Sequence, residues 1–283
     1  MPELPEVEAI RLQLGKFLIG HKIISVDVRN RKNFQGSEKS IVGAYTIGTR
    51  RFGKVTVIDL SNGYSVMVHV KLTGQFIYRG PNLPKTPDLS GKVIGGVPGP
   101  HTLVVFNLDR GGVLYYNDVR RFGWIRIVKT AAVETESFIQ KMGPEPLKDL
   151  TLEKFKEILS KSGRPVKVVL MDQEKMGGVG NIYANDALWL AKINPKTPAK
   201  NLEDGRVKDL FEAIISVLKQ GIKWGGASEL AFVTPDGTEG NYQKHTLAYG
   251  REGEACERCH KAIFAKFFLG GRGTYVCPVC QKV

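Results

Sequence analysis

Hydrophobic positions near the start of the chain recur with a helical period. Between residues 5 and 18, the apolar side chains that fall on one face of a helix are Val7, Ile10, Leu14 and Phe17. Pro5 suits the first turn, where its missing N–H removes no helical hydrogen bond, and Gly20 suits the helix end. The pattern therefore predicts an amphipathic helix over residues 5–18.

The region that follows contains short runs of β-branched and aromatic residues, several of which alternate between apolar and polar positions. These runs are KIISVDVRN, RFGKVTVIDL, YSVMVHVKL, TLVVFNL, GVLYYNDV and FGWIRIV. Turn-forming residues separate them, and residues 80–100, which are rich in proline and glycine, are predicted to form a loop. Regular short strands of this kind are typical of a β-sandwich or a β-barrel.

Helical periodicity returns from about residue 130, after which GPEPL at residues 143–147 marks a boundary. Four segments carry the pattern: TLEKFKEILSKS, residues 166–171, NIYANDALWLAKI and LEDGRVKDLFEAIISVLKQGIKW. Residues 225–248 lose it and are predicted to form a long polar loop. The chain therefore has a β-rich part, a helical part and a short C-terminal module.

Charge is the unusual feature of the composition. The 283 residues include 41 Lys and Arg against 28 Asp and Glu, a formal net charge of +13. Such a balance favours a polyanionic partner such as nucleic acid, although a basic surface without a specific partner has the same composition. A membrane span and a secretory signal are not predicted, so we expect a cytoplasmic protein.

All four cysteines lie in the C-terminal module. Cys256 and Cys259 form one close pair and, after 17 further residues, Cys277 and Cys280 form a second. Two such pairs can supply four thiolates to one tetrahedral zinc ion, so the spacing favours a structural zinc site over free thiols. A zinc ribbon of this size depends on metal to fold, and it serves either as a nucleic-acid contact or as a structural clip.

The first residues, MPELPEVE, combine a proline with nearby carboxylates. Removal of Met1 would leave Pro2 with a secondary amine, and an α-amino group titrates near pH 8, about two units below lysine. Such an amine attacks an aldehyde-like carbon to form an iminium ion, while Glu3 and Glu6 are within reach for proton transfer. The alternative is an ordinary helix start whose acidic residues complement the helix dipole.

Five motifs in register over the whole chain resemble the formamidopyrimidine-DNA glycosylase family: PELPEVE, HVKLTG, DVRRFG, GGVGNIY and the terminal zinc ribbon. The resemblance implies an α+β multidomain fold. It has an N-terminal catalytic β-sandwich with its helix over residues 1–130, and a helix–two-turns–helix domain with a lesion-capping loop over residues 131–247. A zinc finger over residues 248–283 completes it. Damaged double-stranded DNA would be the partner of a monomer whose one cofactor is structural Zn²⁺.

The activity that the resemblance implies is base-excision repair of oxidised purines such as 8-oxoguanine and formamidopyrimidines, followed by β,δ-elimination at the abasic site. Pro2 would be the nucleophile that attacks the sugar C1′, and Glu3 the acid and base. Lys54, in the RFGKVTV run, would lie near the phosphates and the lesion, and Arg272 would grip the phosphates that flank it. From the residues alone, Arg272 is also explained as a solvated turn residue between glycines.

Further residues are implied as contacts to DNA or to the lesion. Leu72, from the HVKL loop that His69 begins, would fill the space of the flipped nucleotide together with Arg120 and Phe122. The remaining implied contacts are Glu6 in the lesion pocket and, near the phosphates, Lys167 and Asn181. Without the resemblance, Leu72 and Phe122 are more often explained as core residues, and Asn181 is equally explained as a helix cap after a glycine-rich turn.

The sequence departs from the family pattern at a few positions. Leu72 replaces the usual methionine, Lys71 stands where glycine is frequent, and Val119 stands where proline is common. PELPEVE resembles the branch that acts on oxidised purines, whereas the endonuclease VIII branch, which favours oxidised pyrimidines, typically begins PEGPE. Two alternatives stay open: an endonuclease VIII-like glycosylase, and a noncatalytic zinc-ribbon DNA-binding protein.

Overall fold

The computed structural model describes residues 1–83 and 86–282. Residues 84 and 85, which fall in the predicted loop 80–100, and residue 283 lie outside the described part. The chain divides into two compact units: an N-terminal unit of Met1–Gln140 with Ile222–Gln243, and a C-terminal unit of Lys141–Gly221 with the residues from Lys244 onward. Within the described residues, no helix is long and apolar enough to cross a membrane.

The predicted N-terminal helix is confirmed as α1, Leu4–Leu18. Its buried face includes Leu4, Ile10 and Leu14, each at most 1% exposed, because apolar residues three and four positions apart project from the same side. Gly20 follows with a φ of +82°, a backbone conformation that glycine adopts without steric cost. The helix therefore begins and ends where its sequence signals predict.

In the part of the N-terminal unit that the structure describes, nine strands form two sheets. They are β1 Ile23–Val28, β2 Phe34–Gln35, β3 Thr46–Phe52, β4 Val55–Leu60, β5 Tyr64–His69, β6 Gly74–Arg79, β7 Thr102–Leu108, β8 Val113–Asp118 and β9 Trp124–Lys129. One sheet has the order β1-β7-β8-β6 and the other the order β2-β9-β5-β4-β3. All pairs are antiparallel except β2 with β9. The predicted β-sandwich is confirmed, with buried residues of both sheets and of α1 in one core.

Two features of this sandwich differ from the prediction. RFGKVTVIDL is not one strand, because the chain reverses at Gly53, whose φ is +52°, and β3 pairs with β4 as a hairpin. The GQFIYR run forms β6, which the alternation of the sequence did not single out. β3 was missed because two of its side chains are arginines, and these are held by ion pairs: Arg50 with Asp59 and Arg51 with Glu8.

The helices of the second half follow the predicted segments. A short helix, α2 Ser137–Gln140, closes the first part, and α3 Leu152–Ser160, α4 Val166–Leu170, α5 Asn181–Leu190 and α6 Asp204–Lys223 come after it. Thr151 caps α3 by accepting the N–H of Lys154. Near the C-terminus, β10 Ala265–Leu269 and β11 Arg272–Val276 form an antiparallel hairpin.

The predicted long loop after α6 is largely irregular but not polar throughout. Phe232 lies in the core of the sandwich, and Val233 packs with Ile77 and Val93. The N–H of Tyr78, on the edge strand β6, donates to the carbonyl oxygen of Pro235 at 2.7 Å. This segment is therefore an integral part of the N-terminal unit.

Candidate active site and DNA-contact residues

The start of α1 brings together the first three predicted site residues. Pro2 is buried, and Glu3 and Glu6 are 4% and 1% exposed. Glu3 is the N-cap residue, and its N–H donates to Oε2 of Glu6 at 2.7 Å. Pro2 therefore lies directly before the positive end of the helix dipole, with a buried carboxyl group as its neighbour.

Glu6 also contacts the segment after α6. Its Oε1 accepts the N–H of Ala227 at 2.7 Å, so its two carboxyl oxygens bind two backbone groups far apart in sequence. Gly226 has a φ of +83°, and a Cβ there would lie 2.8 Å from the Glu6 Cγ. The role in the lesion pocket stays a prediction, and the geometry adds a second role: Glu6 fixes the N-terminus against residues 226–227.

Lys54 and His69 lie close together in the N-terminal unit. Lys54, 5% exposed, occupies the turn between β3 and β4 and not a strand interior. His69 ends β5 and is 3% exposed. Burial, together with the charges of Lys71 and Lys54, lowers the pKa of His69 to about 3, so its imidazole is neutral at physiological pH.

The neutral imidazole shapes the loop that carries Leu72. Nδ1 of His69 accepts the N–H of Lys71 at 3.0 Å, which leaves the ring proton on Nε2. Lys71 has a φ of +52°, which is the physical reason that glycine suits this position. Burial lowers the pKa of the Lys71 ammonium, whose nitrogen lies 6.0 Å from the centre of the Phe138 ring. Leu72 itself is half-buried.

Arg120 and Phe122 project from the turn between β8 and β9. Phe122 is 61% exposed, which excludes its alternative explanation as a core residue. The guanidinium carbon of Arg120 lies 4.8 Å from the centre of the Phe122 ring, so the two side chains stack. Arg121 between them has a φ of +57°. An exposed, stacked Arg–Phe pair on a strained turn is suited to insertion into a DNA duplex.

Sequence reasoning missed two residues that hold this turn. Asp118, fully buried, accepts the Thr73 hydroxyl and the Arg120 N–H through Oδ1, and the Gly123 N–H through Oδ2. It therefore joins the loop of Leu72 to the turn of Phe122. Asn33 donates from Nδ2 to the carbonyl oxygens of Arg121, at 2.9 Å, and of Gly123. The aspartate of the DVRRFG motif was the one available signal.

In the C-terminal unit, Lys167 is fully buried. Its ammonium donates to the Gly273 carbonyl and to the Thr274 hydroxyl, both at 2.8 Å. Both acceptors lie in β11, next to Arg272. The predicted proximity to phosphates stays a prediction, and the structure gives Lys167 a place in anchoring the strand that carries Arg272.

Arg272 lies exposed at the tip of the β10–β11 hairpin. Gly270 and Gly271 form the two-residue turn with φ values of +58° and +72°, which a tight hairpin of this hand requires. Leu269 and Arg272 face each other across the turn. Glycine at both turn positions therefore fixes the position of Arg272 at the tip of the hairpin.

Asn181 is the first residue of α5, after the glycine-rich stretch. Gln173, which sequence reasoning missed, holds that stretch: its Oε1 accepts the Gly178 N–H and its Nε2 donates to the Val179 carbonyl. Asn185 donates to the backbone oxygen of Asn181 at 2.7 Å. The positive end of a helix favours binding of phosphate, and the contact of Asn181 with the DNA backbone stays a prediction.

The four cysteines are brought together as predicted. Their sulfur atoms all lie within 4.8 Å of one another. The Cys256–Cys280 and Cys259–Cys277 sulfur distances are 3.9 and 3.7 Å. Four thiolates around tetrahedral zinc, with Zn–S bonds of about 2.3 Å, place sulfurs about 3.8 Å apart. The donor set therefore fits a structural zinc ion, and α5 contributes Trp189 to the cluster around it.

Comparison with known proteins agrees with this geometry. A family model described as the formamidopyrimidine-DNA glycosylase N-terminal domain matches residues 1–125, and one described as the formamidopyrimidine-DNA glycosylase H2TH domain matches residues 142–232. The formamidopyrimidine-DNA glycosylase of Pelotomaculum thermopropionicum is 39% identical, with 100% of both chains covered. This chain belongs to the formamidopyrimidine-DNA glycosylase family.

Solved structures of the family support the same fold. A Lactococcus lactis Fpg in complex with DNA that contains N7-benzyl-Fapy-dG is 32% identical, with a TM-score of 0.87 and 100% of both chains covered. A Lactococcus lactis Fpg in complex with abasic-site DNA is 31% identical, with a TM-score of 0.88 over 99% of this chain and 100% of that one. The implied sandwich, helix–two-turns–helix domain and zinc finger are thus confirmed.

Proposed function

We propose that this protein excises oxidised purines from damaged duplex DNA and nicks the resulting abasic site, with the amine of Pro2 as the nucleophile. Membership of a family of bifunctional glycosylases and abasic-site lyases supports the activity. The observation that carries the mechanism is the start of α1, where Pro2 precedes the N-cap and Glu3 and Glu6 are buried beside it.

Removal of Met1, which is 43% exposed, creates the reactive amine. The positive end of α1 disfavours its protonated form, so the nitrogen lone pair is available near neutral pH. The nitrogen attacks C1′, the bond to the damaged base breaks, and the base departs with a proton. Loss of the amine proton and opening of the sugar ring then give the iminium ion.

Glu3 is placed to move the protons of these steps. It takes up the proton that the Pro2 amine loses and gives it to the sugar ring oxygen as the ring opens; later it takes a proton from the water that attacks C1′ and gives it to the departing Pro2 nitrogen. The iminium acidifies the C2′ hydrogen, whose loss expels the 3′ phosphate by β-elimination, and loss of the C4′ hydrogen then expels the 5′ phosphate by δ-elimination. Glu6 contributes by holding the backbone of Glu3.

DNA contacts divide between the two units. In the N-terminal unit, Leu72, Arg120 and Phe122 fill the place of the everted nucleotide, Lys54 lies near its phosphates, and His69 holds the loop of Leu72. In the C-terminal unit, Lys167, Asn181 and Arg272 serve the phosphate backbone, and zinc holds the hairpin of Arg272. We propose a monomer that acts in the cytoplasm on chromosomal DNA.

We assign oxidised purines as the substrate for two reasons. PELPEVE has the form found in the family branch that acts on oxidised purines, and residues 225–243 provide a segment long enough to cover a base. A Lactococcus lactis Fpg structure, however, contains DNA with an oxidised pyrimidine. Oxidised pyrimidines are therefore a second candidate substrate class, and they belong in the same test.

Borohydride trapping tests the proposal. Borohydride reduces the iminium and leaves the protein covalently joined to DNA. We expect an adduct with an 8-oxoguanine duplex, none with an intact guanine duplex, loss of the adduct in Pro2→Gly, and its retention in the control Pro5→Ala. Trapping with an oxidised pyrimidine alone would move the protein to the second class. A protein without Met1 that traps no lesion but binds the duplex would be the noncatalytic DNA-binding protein.

A further inference from the structure

The segment after α6 has a buried base and an exposed tip. Ser228 and Phe232 are each 3% exposed, whereas Leu230 between them is 67% exposed. Leu230 also has a φ of +49°, which a branched side chain adopts only at an energetic cost. We define residues 229–231 as the tip. Such a conformation persists only where its surroundings hold it.

Two side chains hold the tip, one at each side. Lys92 donates from Nζ to the carbonyl oxygen of Ser228 at 2.7 Å, just before the tip. Gln75 donates from Nε2 to the carbonyl oxygen of Ala231 at 2.6 Å, at the end of the tip. Both donors belong to the N-terminal unit, and both bind backbone oxygens, so they fix the path of the chain whatever the tip side chains are.

Lys92 and Gln75 are themselves fixed. The same Nε2 of Gln75, which is 4% exposed, donates to the carbonyl oxygen of Lys92 at 2.9 Å. The Lys92 ammonium also pairs with Glu239, and Glu239 accepts the Ser90 hydroxyl at 2.6 Å. The two donors therefore form one connected brace, which we name the Lys92–Gln75 brace.

The location of the brace links it to the lesion site. Gln75 is in β6, three residues after Leu72, which we assign to the space of the everted nucleotide. At the other side of the tip, Ala227 is held by Glu6, whose Oε2 binds the Glu3 N–H. The tip therefore lies between Ala227, which Glu6 joins to the proposed nucleophile region, and Gln75, which is three residues from the proposed wedge.

We propose that Lys92 and Gln75 are positioning residues for the damaged base, because they hold the tip in the conformation that closes over it. This inference rests on the proposed function. A base in the pocket needs the tip, whereas a preformed abasic site presents no base to cover. Loss of the brace should therefore slow base excision while sparing the elimination steps.

The test compares two substrates under single-turnover conditions: a duplex with 8-oxoguanine and a duplex with a preformed abasic site. Lys92→Met keeps the aliphatic stem and removes the donor, and Gln75→Leu keeps the volume. Lys156→Met is the matched control. It removes the same positive charge as Lys92→Met, but from the Lys156–Asp204 ion pair of the C-terminal unit. A thermal melt of each variant measures folding.

We expect Lys92→Met and Gln75→Leu to excise 8-oxoguanine about tenfold more slowly, the effect of one charge-assisted or buried hydrogen bond, and to nick abasic DNA within about twofold of wild type. Lys92→Arg should restore most of the excision rate. If the rates on both substrates fell by the same factor, the brace would have only a structural role, which would contradict the inference. If the excision rate were unchanged, the inference would be overturned but the proposed function would stand. A wild-type protein that nicks abasic DNA but excises no lesion would overturn the proposed function as well.

Discussion

The replacement Glu6→Gln tests whether one buried carboxyl group fixes the N-terminus that we propose to be catalytic. Each Glu6 oxygen accepts a backbone N–H at 2.7 Å, from Glu3 and from Ala227. A glutamine keeps the shape but replaces one acceptor by an NH₂ donor, which then faces a backbone donor. The variant therefore leaves one buried backbone N–H without its acceptor, which costs about 1–3 kcal/mol. We expect the free energy of unfolding to fall by about 1–3 kcal/mol.

Urea unfolding of both proteins at pH 7.5 measures this change. The matched control is Glu38→Gln, because Glu38 also accepts two N–H groups, those of Arg31, but on the exposed surface. Such a surface pair contributes little to stability, because solvent screens it. Borohydride trapping on 8-oxoguanine DNA should fall together with stability in Glu6→Gln. A loss no greater than that of the control would refute the bridging role of Glu6.

Three further perturbations have defined outcomes. Since the folded-state pKa of His69 is about 3 and the unfolded value is about 6.5, stability is lost as pH falls below about 6.5, and at pH 5 this costs about 2 kcal/mol. The drop in unfolding free energy from pH 7.5 to 5 should therefore shrink by that amount in His69→Phe; an unchanged drop contradicts the assigned pKa. Gly226→Ala should destabilise by about 2 kcal/mol because of its positive φ and the contact with Glu6, whereas Gly205→Ala in α6 should not. Zinc removal by a chelator, or Cys277→Ser, should lower both the melting temperature of the C-terminal hairpin and DNA affinity; full affinity without zinc would show that the module is not a DNA contact.

The sequence predicts those parts of the structure that follow from local patterns. Helical periodicity located α1 and α3 to α6, and the two cysteine pairs predicted one metal site, because side chains close in sequence there act together. The domain limits and the roles of the site residues stay predictions. The hairpin at Gly53 was hidden because Arg50 and Arg51 interrupt the apolar pattern of β3 just before the turn.

Other features depend on contacts that no local pattern encodes. Asn33 binds a turn 88 to 90 residues away, and Glu6 binds a backbone group 221 residues away. A buried polar residue is specified by its partner, and the partner is known only after the chain has folded. The burial of Phe232 within the sandwich core was missed for the same reason.

The division of the chain also has a consequence for protein synthesis. The N-terminal unit includes residues 222–243, so its core lacks Phe232 and its edge strand β6 lacks the Pro235 partner until that segment has left the ribosome. Roughly 100 residues separate Gln140 from Gln243, which at about 5–20 residues per second takes about 5–20 s. During that interval the nascent sandwich exposes an unpaired strand edge, and a chaperone that shields such edges would have its greatest effect on this stage.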